Sequence, residues 1–148
     1  MKRTVIGVAI IALIAASFGI GYYVYTEPKT ATIEFAGVTL TVELATTPSA
    51  QQQGLSGRNS MPADQGMLFV FTQAAEWGFW MHEMLFPLDI IWFNPNRQVV
   101  FIEQDLQPCT PTACPVYSPS VTALYVLEVN AGFVRANAVG LGDTFTFV

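Results

Sequence analysis

The sequence predicts a mainly β domain, a small barrel or sandwich with one or two short helices, preceded by a single N-terminal transmembrane helix. Three observations predict it. Residues 4–25 carry no charged side chain and follow Lys2 and Arg3, and a helix of about 20 apolar residues crosses a bilayer core. Beyond residue 30 the apolar residues fall into many short runs, several alternating with period two, as half-buried strands do. Turn-forming Gly, Pro and Asn separate those runs, and only two segments carry helix signals.

Residues 1–26 read as a signal anchor. Lys2 and Arg3 hold the N-terminus in the cytoplasm, so the following domain faces outward. Tyr22, Tyr23 and Tyr25 suit the aromatic belt at a membrane interface. The alternative is a signal peptide cut at Ala15-Ala16-Ser17, which would release a secreted protein. Such a cut would leave the apolar stretch Phe18–Tyr25 on the mature N-terminus. The segment holds no Cys, which excludes a lipoprotein signal. Residues 27–31 form a linker, whose Pro28 cannot continue a helix. Residues 32–148 are long enough for one domain with its own core.

Within that domain, Thr32 to Leu44 alternates as two strands around Gly37. Thr47-Pro48 supplies an N-cap and a proline at the first helical position, starting a short helix that ends by Gly54 or Gly57. Met67 to Phe71 is a compact apolar run and reads as a buried strand. Phe79 to Met81 is a further short strand. Asp89–Phe93 and Gln98–Leu106 flank the hairpin turn Asn94-Pro95-Asn96-Arg97. Gln107 to Pro119 is a proline-rich loop. Ala123–Val129 is a strand, Asn130–Asn137 contains one or two helical turns, and Thr144–Val148 alternates as the last strand after the turn at Gly140–Asp143.

Charge narrows the function. Two of the six basic residues lie at the start of the anchor, leaving four beyond it against all eleven acidic ones, a formal −7 with His82 neutral. A nucleic-acid surface needs a basic footprint to meet phosphates, so nucleic acid is not an expected partner. The expected partner of residues 4–25 is the lipid bilayer.

The middle and end of the chain resemble a family known only as domain-of-unknown-function family 192, exported or membrane-anchored prokaryotic domains. The residues that carry the resemblance are Gly54-Leu55 with Arg58, Gly66-Met67-Leu68-Phe69-Val70-Phe71, Phe79-Trp80-Met81 and Pro87-Leu88-Asp89-Ile90-Ile91. They continue with Cys114-Pro115 and Tyr117, Leu127-Glu128, Ala131-Gly132, Arg135 and Gly142-Asp143. The resemblance spans about residues 32–148. It implies a mainly β fold and no known activity. The chain departs from the family pattern at His82-Glu83, where Lys-Asn is usual, at Gln51-Gln52-Gln53, which replaces an Arg-bearing segment, and at Ser56, where Met is frequent.

The chemistry-bearing residues are few. Outside the cytoplasm, Cys109 and Cys114 are expected to form a structural disulfide; their C-x4-C spacing is not that of a thioredoxin-like site. The chain has one His, too few ligands for a zinc site with these cysteines, so no metal and no cofactor are expected. Adjacent strand residues point to opposite faces, so His82 and Glu83 would not converge; a turned backbone would instead pair His82 with Asp89 as base and orienter. Arg58, Asp89, Glu128 and Asp143 stand beside apolar or glycine-rich sequence, where an unpaired charge is costly. They either lock loops to the sheet or line a small polar cleft. In the cleft reading Arg58 grips an anionic group bidentately, and Trp80, His82, Asp89 and Glu128 complete the ligand-binding set. A glycoside-cleaving pair would be Asp89 with Glu128. The aromatic run of Trp77, Phe79, Trp80, Trp92 and Phe93 reads mainly as core, with Trp77 and Phe79 the expected exposed pair.

The sequence therefore predicts a membrane-anchored extracytoplasmic binding or assembly module of the cell envelope, with no catalytic residues. Its ligand is expected to be a small anion or an envelope protein. The alternatives are a hydrolase of envelope material using carboxylates and His82, and a purely structural domain.

Overall fold

A computed structural model describes residues 28–148 apart from Pro111. The anchor expected over residues 4–25 lies outside the described residues. No helix among the described residues is long and apolar enough to cross a membrane.

The chain is mainly β. Strands β1 (Thr30–Phe35) and β2 (Val38–Ala45) are followed by helix α1 (Pro48–Gln53) and strands β3 (Gln65–Ala75), β4 (Phe79–Trp80), β5 (Leu88–Phe93), β6 (Val99–Leu106), β7 (Val116–Tyr117) and β8 (Ala123–Asn130). Helix α2 (Phe133–Ala136) and strand β9 (Phe145–Phe147) complete the order. Seven strands make one sheet in the order β6-β5-β8-β3-β2-β1-β9, and β4 pairs with β7 in a separate two-stranded ribbon. All neighbours are antiparallel except β2 and β3.

Local chemistry explains the elements. Ala36 and Gly37 both have positive φ, as a two-residue hairpin loop between β1 and β2 requires, and Gly37 adopts this without penalty. Thr47 accepts the Ala50 amide at 3.2 Å with Pro48 opening α1, so the expected cap is present. Gln51 then fixes α1 to the sheet by donating to the carbonyls of Ala45 and Val70. The Asn94 side chain accepts from the amides of Asn96 and Gln98, which closes the β5–β6 turn.

The sheet curls into a half-barrel. Sheet order puts β1 four strands from β5, roughly 19 Å in a flat sheet, yet the Phe35 and Phe93 rings are 5.2 Å apart. Phe93 also meets Phe145 of β9 at 4.9 Å. The edges approach where Gln98 bridges Thr144 and the Val99 amide donates to the Asp143 carbonyl. The inner face holds one apolar cluster, including Phe35, Leu68, Ile91, Leu127 and Val129, with Phe133 and Val134 of α2. The outer face carries a second, centred on Phe69, Ile90, Trp92 and Val126. Both faces are therefore packed, which is why β5 is buried at every position and reads as a continuous apolar run.

Two expectations change. The region 107–119 is not loop throughout: β7 lies in it and pairs Tyr117 with Phe79 and Val116 with Trp80. Strand β3 is longer than its apolar run of 67–71, because its polar end continues the pairing to Ala75 past a bulge.

Candidate functional site

Strand register builds the site. Glu43 of β2 is level with Met67 of β3, and Met67 with Glu128 of β8. Side chains level with one another on paired strands share a face, so Glu43, Met67 and Glu128 form a row on the outer face. Gly66, one residue earlier in β3, lets the strands approach. A Cβ there would stand 2.8 Å from the Glu128 carbonyl oxygen.

The segment after α1 carries Arg58 over this row. Asn130 of β8 fixes it by donating to the carbonyls of Met61 and Pro62 at 2.9 and 3.2 Å. The Arg58 guanidinium grips Glu43 through two parallel hydrogen bonds, one of them from Nη2 to Oε2 at 2.7 Å. The guanidinium holds the Glu43 carboxyl below the usual carboxylate range, and the carboxylate raises Arg58 in return.

Glu128 differs. It is only 5% exposed, and its Oε2 is buried with no hydrogen-bond partner. Burial pushes its carboxyl up to about 8, against the opposing pull of Arg58. It is thus a neutral acid through most of the ordinary pH range. The other partnerless buried side-chain atom among the described residues is Trp77 Nε1. Trp77 is held in place: its ring stacks on Phe71 at 3.9 Å and its carbonyl accepts from Trp92 Nε1 at 2.8 Å.

Both partnerless atoms belong to residues that line one cleft of about 140 Å³ between α1, the Gly54–Ser56 turn and the strand β4 region. Phe69 and Phe79 supply apolar walls, and Trp80, 55% exposed, stands on the rim. A neighbouring hollow of about 510 Å³ holds Lys29, Glu43 and Arg58. The two share Gln53 and Gly54.

The proposed set is only partly gathered. Glu128 and Trp80 line the small cleft, and Arg58 lies in the hollow beside it. His82 is half-buried next to Trp80, with ring centroids 5.3 Å apart. The Ser56 hydroxyl donates to the His82 carbonyl, so Ser56 and His82, both departures from the family pattern, meet. Asp89 is not brought to this site. It is level with Val129 while Ile90 is level with Glu128, so Asp89 and Glu128 point to opposite faces of the sheet. Fully buried, Asp89 accepts from the Asp105 amide at 2.9 Å and the Val134 amide at 2.8 Å. The second bond caps α2, whose own N-cap position is Gly132 with no side chain to do it. Neither the His82–Asp89 pair nor the Asp89–Glu128 pair forms. Asp143 holds its turn through the Gly140 amide at 2.8 Å.

Cys109 and Cys114 form a disulfide. Cys109 also bridges His82 and donates its amide to the Met81 carbonyl, so the cross-linked loop lies against the end of β4. Trp77 and Phe79, the expected exposed pair, are half-buried; Trp80 is the exposed one. Trp92 and Phe93 are core, as expected. Reading the residues singly misses Glu43, one more polar residue in an alternating strand, and the partnerless state of Trp77. No group of three or more His, Cys, Asp or Glu suited to a metal exists among the described residues.

Comparisons with known proteins agree with this architecture. The model of the DUF192 family, described as "Uncharacterized ACR", matches residues 31–147. A crystal structure from Sinorhizobium meliloti 1021, described as a candidate transcription regulator, is similar with a TM-score of 0.76 and 30% identity, covering 83% of this chain and 97% of that one. A protein of unknown function from Novosphingobium aromaticivorans DSM 12444 gives a TM-score of 0.71 and 26% identity, covering 91% and 92%. The search of curated proteins returns no match.

Proposed function

The chain belongs to domain-of-unknown-function family 192, and from that premise we propose that it is a membrane-anchored binding module of the cell envelope, without catalysis, whose outward domain holds a small ligand in the cleft between α1 and β4. One observation carries the reading. The two partnerless buried polar atoms among the described residues, Trp77 Nε1 and Glu128 Oε2, belong to side chains that line the same cleft. An unmatched buried polar group costs about 1–3 kcal/mol, and two on side chains that line one cleft are best explained by a partner that enters it. A purely structural domain gives no reason for that coincidence. The anchor, its orientation and the bilayer as its partner rest on residues 1–25.

The geometry moves the emphasis from Arg58 to Glu128. The Arg58 fork is already matched by Glu43, so an incoming anion would have to displace a carboxylate. The hydrolase reading has one feature in its favour: Glu43 and Glu128 are pushed in opposite directions, the pattern of an acid–base pair. The two line separate hollows, whereas such a pair must flank one bond. The regulator description of the Sinorhizobium protein is not carried over, because a formal −7 domain repels nucleic acid.

The test is an NMR titration of the purified full chain with a panel of small neutral, cationic and anionic polar molecules. The expected result is a saturable shift of the Trp77 indole N–H by at least one of them. Saturable binding only at other positions, or at none, overturns the proposal.

A further inference from the structure

We propose that the cleft takes a neutral, hydroxyl-rich ring, one saccharide unit of a glycan, with Trp77 Nε1 and the Glu128 carboxyl as its hydrogen-bonding partners and Trp80 as its stacking face. This rests on the cleft reading above and names its ligand class. Size comes first. About 140 Å³ is well below the roughly 300–1,000 Å³ of a site for a drug-sized ligand, so the space suits a single ring-sized group rather than a folded segment. Polarity comes second. An indole N–H only donates, so the ligand must offer an acceptor beside it. Glu128, its neutral form favoured by burial, both donates and accepts in that form, and a hydroxyl matches either role. The walls come third. Trp80 is 55% exposed on the rim, and an indole face suits the apolar face of a sugar ring.

The same geometry disfavours charged ligands. An ammonium group binds best where an ionised carboxylate stands beside the aromatic faces, and of the two indoles of the cleft Trp80 offers it an open face. Here the carboxyl is held neutral, and one face of Trp77 is covered by Phe71. An anion needs a free cation, and the Arg58 guanidinium is taken by Glu43.

The test uses the full chain in polyoxyethylene micelles, which contain neither sugar nor amine. The probes are maltotriose and chitotriose, with choline, putrescine and phosphate as the charged alternatives. Binding is read from the Trp77 indole N–H and from intrinsic tryptophan fluorescence. A saccharide is expected to bind saturably. Trp77→Phe, which removes the donor and keeps the ring, and Trp80→Ala should each weaken it at least tenfold. Glu128→Gln, which still donates and accepts, should stay within about threefold, whereas Glu128→Leu should abolish binding with the fold intact by circular dichroism. A response at Trp77 to choline, putrescine or phosphate and to neither saccharide overturns the ligand class while leaving the cleft reading intact. No response at Trp77 to any probe overturns the saccharide proposal and withdraws support from the cleft reading. Saccharide binding indifferent to Trp77→Phe and Trp80→Ala also overturns the proposal.

Discussion

Two acidic side chains of the outer face give stability opposite dependences on pH. Glu43 is lowered by Arg58, so its contribution is present above the ordinary carboxylate range and is lost as pH falls through its lowered value. Glu128 is raised from 4.5 to about 8. The unfolded chain releases that proton near 4.5 and the folded one near 8, so between those values the folded state binds more protons and stability falls as pH rises. Urea denaturation across pH 4–9 should show this decline, and Glu128→Gln should flatten it. Asp89 belongs to the same scale with a different role. Its two carboxylate oxygens serve two backbone amides, so Asp89→Ala should destabilise the protein by about 2–4 kcal/mol, measured by urea unfolding. Both residues sit in apolar sequence that marks them as notable, yet nothing local distinguishes the carboxylate that caps a helix from the one that lacks a partner. That difference depends on which side of the sheet each faces.

Among the elements, β3 and the β4–β7 ribbon decide the shape of the cleft. Gly66→Ala would place a methyl group 2.8 Å from the Glu128 carbonyl oxygen and 3.2 Å from both Leu127 and Val129. This should cost about 1–3 kcal/mol by overpacking and should shift the Glu128 amide in a backbone NMR spectrum. The disulfide acts on the other wall. Cys109 is joined to the end of β4, and Val116, two residues after Cys114, pairs with Trp80. Replacing both cysteines by Ser should lower stability by up to ~2 kcal/mol, with faster amide exchange concentrated in β4 and β7. The sequence announces the long strands and α1 through alternation and the Thr47-Pro48 cap. It hides β7, because a two-residue strand in the three-residue stretch between Pro115 and Pro119 carries no periodicity and becomes a strand only when β4 is beside it.

At the scale of the whole molecule, a curled sheet packs both of its faces, and this sets the cleft at the outer surface, away from α2. The N-terminal reading makes its own prediction. Alkaline phosphatase fused after Val148 should be active, and the fusion should stay with the membrane after a carbonate wash. Recovery of active fusion in the soluble fraction would instead indicate cleavage after Ser17.

The sequence by itself determined the order of the helices and of every strand but β7, the pairing of the two cysteines, the family and the acidic character of the domain. These depend on local periodicity, on cap chemistry and on composition, which the chain carries without folding. Only the tertiary structure decided which charged residues meet. Glu43 and Arg58 are fifteen residues apart and join because β2 and β3 run parallel in register with α1 between them. Asp89 and Glu128 part because one step of strand register moves a side chain through the sheet. Trp77 and Glu128 come to one opening from elements 51 positions apart, a relation that no local pattern encodes.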